Sequence, residues 1–343
     1  MTGHAWRAAA LMLIALGALG PGAGARAQPF WQGKNVQLLI GAGSGGGYDI
    51  SARMIARHLP KHLPGAPAVV PQNMPSGGGI GLGNFLYAGA PADGTSLGVL
   101  PREIATAPLM GNSAAKFDPV KFAWIGTPTA ETNTCLARGD SPVRTHRDLF
   151  DKELIVGDAG PGNGIHIYPK ALRALFGMKF RQVAGYTTSA EIFLALERGE
   201  VDGICVSFDS VIERYSDWLQ SGKIRILLQG GAMKNPALPD VPFVMDLARN
   251  EEERQALNFL YAGLAIGRPV AAPPATPADR VKALRDAFDA TMKDPEFIAD
   301  AERSKMDLSP SSGEAAQKVA ESMLSNTPRV IARAKAIMES GSK

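Results

Sequence analysis

The chain has 343 residues, longer than one domain usually runs, which points to two lobes. Hydrophobic residues make up 45% of it and charged residues 20%, so disorder of the whole chain is excluded. With 36 Lys and Arg against 33 Asp and Glu, and no basic run, the charge provides no footprint for a nucleic acid or an anionic membrane as partner.

At the start of the chain, Arg7 supplies a positive charge, Ala8 to Leu19 an apolar stretch, and Ala25-Arg26-Ala27 a small-residue cleavage site. This is the pattern of a secretory signal peptide covering residues 1–27, with the mature chain beginning at Gln28. The apolar stretch breaks at Gly20-Pro21-Gly22, short of the roughly 20 residues that a membrane span needs. The mature chain is nearly neutral.

Val36 to Ile40 reads as a strand, a glycine tract follows, and Ile50, Met54, Ile55 and Leu59 fall at helical spacing. The unit nearly repeats, with Ala68 to Val70 as strand, Ser76 to Gly79 as loop, and Ile80, Leu82, Phe85 and Leu86 on a helix; Leu97 to Leu100 is a third strand after the Asp93-Gly94 turn. The alternation restarts after about residue 130, with strands near Thr134, Leu154, Phe180, Gly203 and Ile224 and helices over Tyr168 to Phe176 and Ala190 to Arg198. Such alternation implies parallel sheets with right-handed crossovers. The Pro-rich stretch from Arg268 to Asp279 reads as a connector, Thr276 as the cap of the helix that follows, and the rest of the chain as a helical tail able to pack on the first lobe.

Cys135 and Cys205 are the two cysteines of an exported chain. They can form a disulfide or remain buried thiols; the even count and their places on strands of one sheet make the bond the expectation. With four dispersed histidines in the mature chain they show no ligand spacing, and no metal is expected.

Gly41-Ala42-Gly43-Ser44-Gly45-Gly46 fits the dinucleotide fingerprint, but no Asp or Glu stands between Asp49 and Asp93 to hold a ribose. A phosphate loop fails at Gly47 and Tyr48, and a serine-hydrolase elbow fails at Ala42. No cofactor is expected. What remains is a glycine loop at a helix start, whose free N–H groups and dipole suit an anion such as a carboxylate. Two such loops at equivalent places favour a site over simple turns.

The runs Gly43 to Asp49, Gln72 to Gly79 and Ala90 to Gly94, followed by Ser141 to Thr145, Gly199 to Gly203, Ala237 to Pro242 and Ala272 to Pro277, span essentially the whole mature chain. In order and spacing they resemble the periplasmic solute-binding receptors of tripartite tricarboxylate transporters, the Bug family. The resemblance implies an α/β, two-lobed periplasmic binding protein of the type II flytrap kind, with parallel-sheet lobes and a helical C-terminal segment. The expected lobes are residues 28–130 with 228–343, and residues 131–227. It implies a monomer that captures a small organic carboxylate without catalysis and delivers it to membrane subunits of such a transporter. Alternatives are a ligand-sensing periplasmic receptor and an exported α/β hydrolase.

By the same resemblance the ligand sits against Ser44, Gly45, Gly46, Gly47 and Tyr48 and against Ser76, Gly77, Gly78 and Gly79. The second lobe adds Gly162, Asn163, Gly164, Tyr186, Ser207, Phe208 and Asp209. Ser44 and Ser76 stand where the family commonly has proline and glycine, which puts a tricarboxylate specificity in doubt. Asp209 either selects a ligand amine or caps a helix starting at Ser210. Arg102, after a strand end, is the candidate for a direct charge partner, since a guanidinium can grip a carboxylate with two bonds. His166 reads as a hydrogen-bonded structural residue.

Overall fold

The computed structural model describes residues 28 to 339, and the expected signal peptide lies outside the described residues. The chain opens with β1 (Asn35–Ile40), α1 (Gly47–His58), β2 (Ala68–Asn73), α2 (Ile80–Ala88), β3 (Ser96–Val99) and β4 (Ala123–Thr127). It continues with β5 (Asn133–Arg138), β6 (Leu154–Asp158), α3 (Gly164–Phe176), β7 (Phe180–Ala184), α4 (Ser189–Arg198), β8 (Gly203–Ser207), α5 (Phe208–Gln220) and β9 (Ile224–Gly230). It ends with α6 (Glu251–Tyr261), β10 (Val270–Ala272), α7 (Ala278–Thr291), α8 (Pro295–Arg303), β11 (Ser311–Ser312), α9 (Gly313–Leu324) and α10 (Pro328–Glu339).

These strands form two sheets, each the centre of a lobe. The first has the order β11-β4-β10-β3-β1-β2, with β2, β1 and β3 parallel and β10 antiparallel to β3 and β4. The second has the order β7-β6-β8-β5-β9, with β7, β6 and β8 parallel and β5 antiparallel to both neighbours. The parallel strands are those joined by helical crossovers. The antiparallel additions refine the expectation of parallel-sheet lobes: β5 and β10 are the strands by which the chain enters a sheet from the other lobe, so no crossover sets their direction.

Side chains alternate across each sheet with period two, which gives both sheets two apolar faces. Val36, Leu38 and Ile40 of β1 join the core under α1, α7 and α8, whereas Leu39 joins the core under α2 and α9. In the second sheet Cys135 and Ala137 face α3 and α6, and Leu136 faces α4. Cys135 and Cys205 are register partners on β5 and β8 and are joined by a disulfide, their Cα atoms 3.9 Å apart and 70 residues apart in sequence.

The chain crosses between the lobes at 128–132, again at 262–269, and a third time between α9 and α10. The first two crossings are tied together, Glu131 N–H donating to the Leu264 carbonyl at 2.8 Å and Gly267 N–H to the Thr129 carbonyl at 2.9 Å. The expected return to the first lobe at residue 228 is corrected by the packing: Val244, Met245, Ala256, Leu257 and Leu260 are buried in the second lobe's core. So are Val330, Ala334 and Ile337, which places α10 against α3 and α6 while α7 to α9 stay on the first sheet. An amphipathic helix shows in sequence that it packs, but not on which lobe. Thr276 turns its hydroxyl to the Pro273 carbonyl at 2.8 Å and does not cap α7, which begins after Pro277.

Candidate functional site

Loops at the carboxyl ends of β1 and β3 face loops at the carboxyl ends of β6, β7 and β8, and a cleft lies between them, where ligands of open α/β sheets bind. The lobes are drawn together. Gly43 N–H donates to the Thr187 carbonyl at 3.3 Å and Gly162 N–H to the Gly77 carbonyl at 3.2 Å. The cavity in this cleft measures about 40 Å³.

At the mouth of α1, the Asp49 carboxylate takes up part of the glycine loop. It accepts the Gly45 N–H and the side chains of Arg53 and Asn73, each at 2.9 Å, and Ser44 Oγ lies 3.4 Å away. Burial opposes its charge, but the Arg53, Gly45 and Asn73 hydrogen bonds outweigh burial and hold its pKa below the usual value. The amides of Gly47 and Tyr48 open the helix and stand outside its ladder, so they remain as donors at its positive end.

The floor of the cleft is a buried chain of charges. Arg268, 1% exposed, donates from Nε to Glu131 at 2.6 Å and from Nη1 to Glu213 at 2.7 Å. Its Nη2 has no partner and faces Gly47, 3.1 Å from where a Cβ on that residue would stand. The other Glu131 oxygen accepts from Arg102 Nη1, while Arg102 Nε lies 2.9 Å from Glu103 and Tyr168 donates to Glu103 at 2.8 Å. Tyr48 Oη accepts the Arg102 backbone N–H at 3.1 Å. Burial works against the Arg102 charge, but Glu103 holds its pKa well above the ordinary value; burial pushes Glu213 up against the pull of Arg268.

Of the expected site residues, Gly46, Gly47, Tyr48, Arg102, Asn163 and Ser207 line this cavity. Arg102 lines it with its guanidinium already engaged by Glu131 and Glu103. Ser44 is exposed and Gly45 packs towards Arg214 of the second lobe. The second glycine loop lies outside the cavity: Ser76 and Gly77 are exposed, and Gly78 abuts the backbone of Gly160, Gly162 and Asn163. The loop therefore latches lobe to lobe. Gly79 packs on Pro101, and Gly164 on Glu103 and Tyr168. Tyr186 and Phe208 pack into the second lobe's core, and it is Thr187, Thr188 and Ser189, next along, that reach the cleft. His166 Nδ1 lies 2.7 Å from Asp158.

Asp209 is neither a helix cap nor a cavity residue. Because α5 starts at Phe208 directly from β8, Asp209 is the helix's second residue, buried, with Thr129 Oγ1 at 3.5 Å from Oδ2. Burial is the main reason its pKa rises from 3.8 to about 6, with Glu213 and Asp307 adding to the effect and Arg268 and Arg102 opposing it. Between those two values the unfolded chain has released a proton that the folded chain retains, so stability falls as pH rises through the window, by about 3 kcal/mol in full. Asp209→Asn is accordingly expected to exceed wild type in stability at about pH 8 and to match it near pH 4. Urea melts at both pH values check this, and a gap that does not change with pH would refute it.

Sequence reasoning passed over Arg268, Glu131, Glu213 and Ser210. A signal existed for Arg268: it is the only charged residue between Arg254 and Asp279, set among apolar residues, and a lone charge in such a run must find partners inside the fold.

Residues 51–336 match the family described as the tripartite tricarboxylate transporter family receptor. A protein of Cupriavidus necator, described as a UPF0065 protein in the gbd 5' region, is 26% identical over 290 residues, covering 82% of this chain and 82% of its own length. The fold is shared with the periplasmic binding protein BugD, with a TM-score of 0.70 at 21% identity over 90% of this chain and 97% of that one. It is shared equally with MatC of Rhodopseudomonas palustris, solved with bound malate, with a TM-score of 0.68 at 19% identity over 89% of this chain and 98% of that one. Two lobes of this architecture and a match over most of the chain lead to one conclusion: the chain belongs to the tripartite tricarboxylate transporter family receptors, a family of periplasmic solute-binding proteins and not of enzymes.

Proposed function

We propose that this receptor captures a small organic carboxylate in the cleft between its lobes and hands it, as a monomer, to the membrane subunits of a tripartite tricarboxylate transporter. The observation that carries the reading is the convergence of unused donors on one cavity: the first amides of α1 at Gly47 and Tyr48, and the Ser207 hydroxyl, which is buried without a partner. Donors of this kind gain most from an acceptor with negative charge. The malate held by MatC supports the same ligand class. The test is a thermal-shift screen of mono-, di- and tricarboxylates on the mature protein, in which a ligand at a hundredfold excess over its Kd adds about 2.7 kcal/mol to stability. Neutral sugars that shift the melt while every carboxylate fails would defeat the reading.

The protein reaches its ligand after export, in this reading, with residues 1–27 removed. Intact-mass analysis of protein from the periplasmic fraction is expected to give a chain that starts at Gln28; a mass retaining the leader would exclude cleavage at Ala27.

A further inference from the structure

Paired charges are fixed around the cavity. Among the described residues the cluster holds two cations, Arg102 and Arg268, against Glu103, Glu131 and Glu213, with Asp209 behind them. Both oxygens of Glu131 are bonded to guanidinium groups, and Arg102 is paired with Glu131 and Glu103. Arg268 Nη2 faces the cavity, buried and without an acceptor, whereas the other unbonded guanidinium nitrogen there, Arg102 Nε, lies 2.9 Å from Glu103. A buried donor in that state carries a desolvation penalty that a ligand oxygen removes. The same acids that hold Arg268 in place make the surroundings net negative, so a second anionic group meets no unpaired side-chain cation among the lining residues but Arg268 itself, and several carboxylates repel it. The remaining lining of the second lobe is uncharged, and five of its residues carry hydroxyls: Thr187, Thr188, Ser189, Ser207 and Ser210.

We infer that the cleft selects a short monocarboxylate, whose single carboxylate bonds Arg268 Nη2 and the first amides of α1, and rejects the matching dicarboxylate. Glu131 and Glu213 are positioning residues for that guanidinium. The inference rests on the carboxylate-capture reading above and narrows it.

Matched pairs that differ only in a methyl against a carboxylate test it by calorimetry on the wild-type receptor: propionate with malonate, lactate with tartronate, 2-hydroxybutyrate with malate. The monocarboxylate of each pair that binds is expected to bind at least about tenfold tighter, the order of one charge–charge interaction near a protein surface. Arg268→Lys, which keeps the charge but loses the fork, is expected to lose roughly tenfold or more in monocarboxylate affinity. Glu213→Gln removes an acid from behind the cavity and should narrow the gap between pair members. Dicarboxylates that bind as well as or better than their partners would overturn the inference and leave carboxylate capture standing. Arg268→Lys with unchanged affinity would remove Arg268 as the anchor, and failure of all six acids to bind would overturn this inference while leaving carboxylate capture to stand or fall by the wider screen.

Discussion

Replacing Cys135 and Cys205 together by alanine is expected to lower the stability of the receptor by about 4 kcal/mol while leaving ligand affinity unchanged. The two residues are 70 positions apart, so the bond closes a long loop of the unfolded chain and in the chain-entropy model removes freedom of that order. The native geometry favours the bond without moving the backbone, because β5 and β8 are hydrogen-bonded neighbours and the two cysteines are opposite each other in register. Both are fully buried beneath α3 and α6, on the face of the second sheet away from α4, and neither lines the cleft. Urea melts of oxidised wild type, reduced wild type and the double variant provide the check. The last two should unfold together and well below the first; coincidence of all three curves would show that the bond constrains nothing.

The parallel strands, α1 to α4 and the placing of the first glycine loop at the mouth of α1 were legible in the sequence because each rests on a local pattern. The apolar run from Val36 to Ile40 and the helical spacing of Ile50, Met54, Ile55 and Leu59 each report on a few neighbouring residues. The rest depends on which distant segments meet, and periodicity does not encode that. Nothing in the spacing of Ser76 to Gly79 distinguishes a loop that holds a ligand from one that latches onto Gly160 to Asn163 of the other lobe. Asp49 offered a partial warning, since an acid in the first turn of a helix competes for the N–H groups that a ligand would use. Arg268 was hidden for a different reason. Its prolines mark it as part of a connector, which it is, but the connector is the second crossing between the lobes and so runs through the floor of the cleft.

That placement makes Gly47 the position of the first loop whose side chain would meet Arg268. Gly47→Val is expected to abolish ligand binding with the far-UV circular dichroism of wild type retained. A Cβ at Gly47 would stand 2.6 Å from Ser210 Oγ and 3.1 Å from Arg268 Nη2, with the guanidinium carbon 3.3 Å away. Ser210 can rotate away, but Arg268 is held at two of its nitrogens by Glu131 and Glu213 and has no room to withdraw. The two further methyl groups of valine would then occupy the space in front of Nη2 and hold the lobes apart. Folding of the first lobe survives, because the first position of a helix tolerates a branched residue and Gly47 shows no backbone conformation reserved for glycine. Gly46→Ala is the internal control. Gly46 has φ −85° and ψ 173°, open to any residue, and a Cβ there would make only ordinary contacts, the nearest being Ser189 Oγ at 3.4 Å and Thr188 Cβ at 3.7 Å. Calorimetric titration of both variants with the tightest acid from the screen decides the matter. Binding by Gly47→Val within about threefold of wild type, less than 1 kcal/mol of difference, would mean that the ligand does not approach the start of α1 and that Arg268 Nη2 faces something other than the binding cavity.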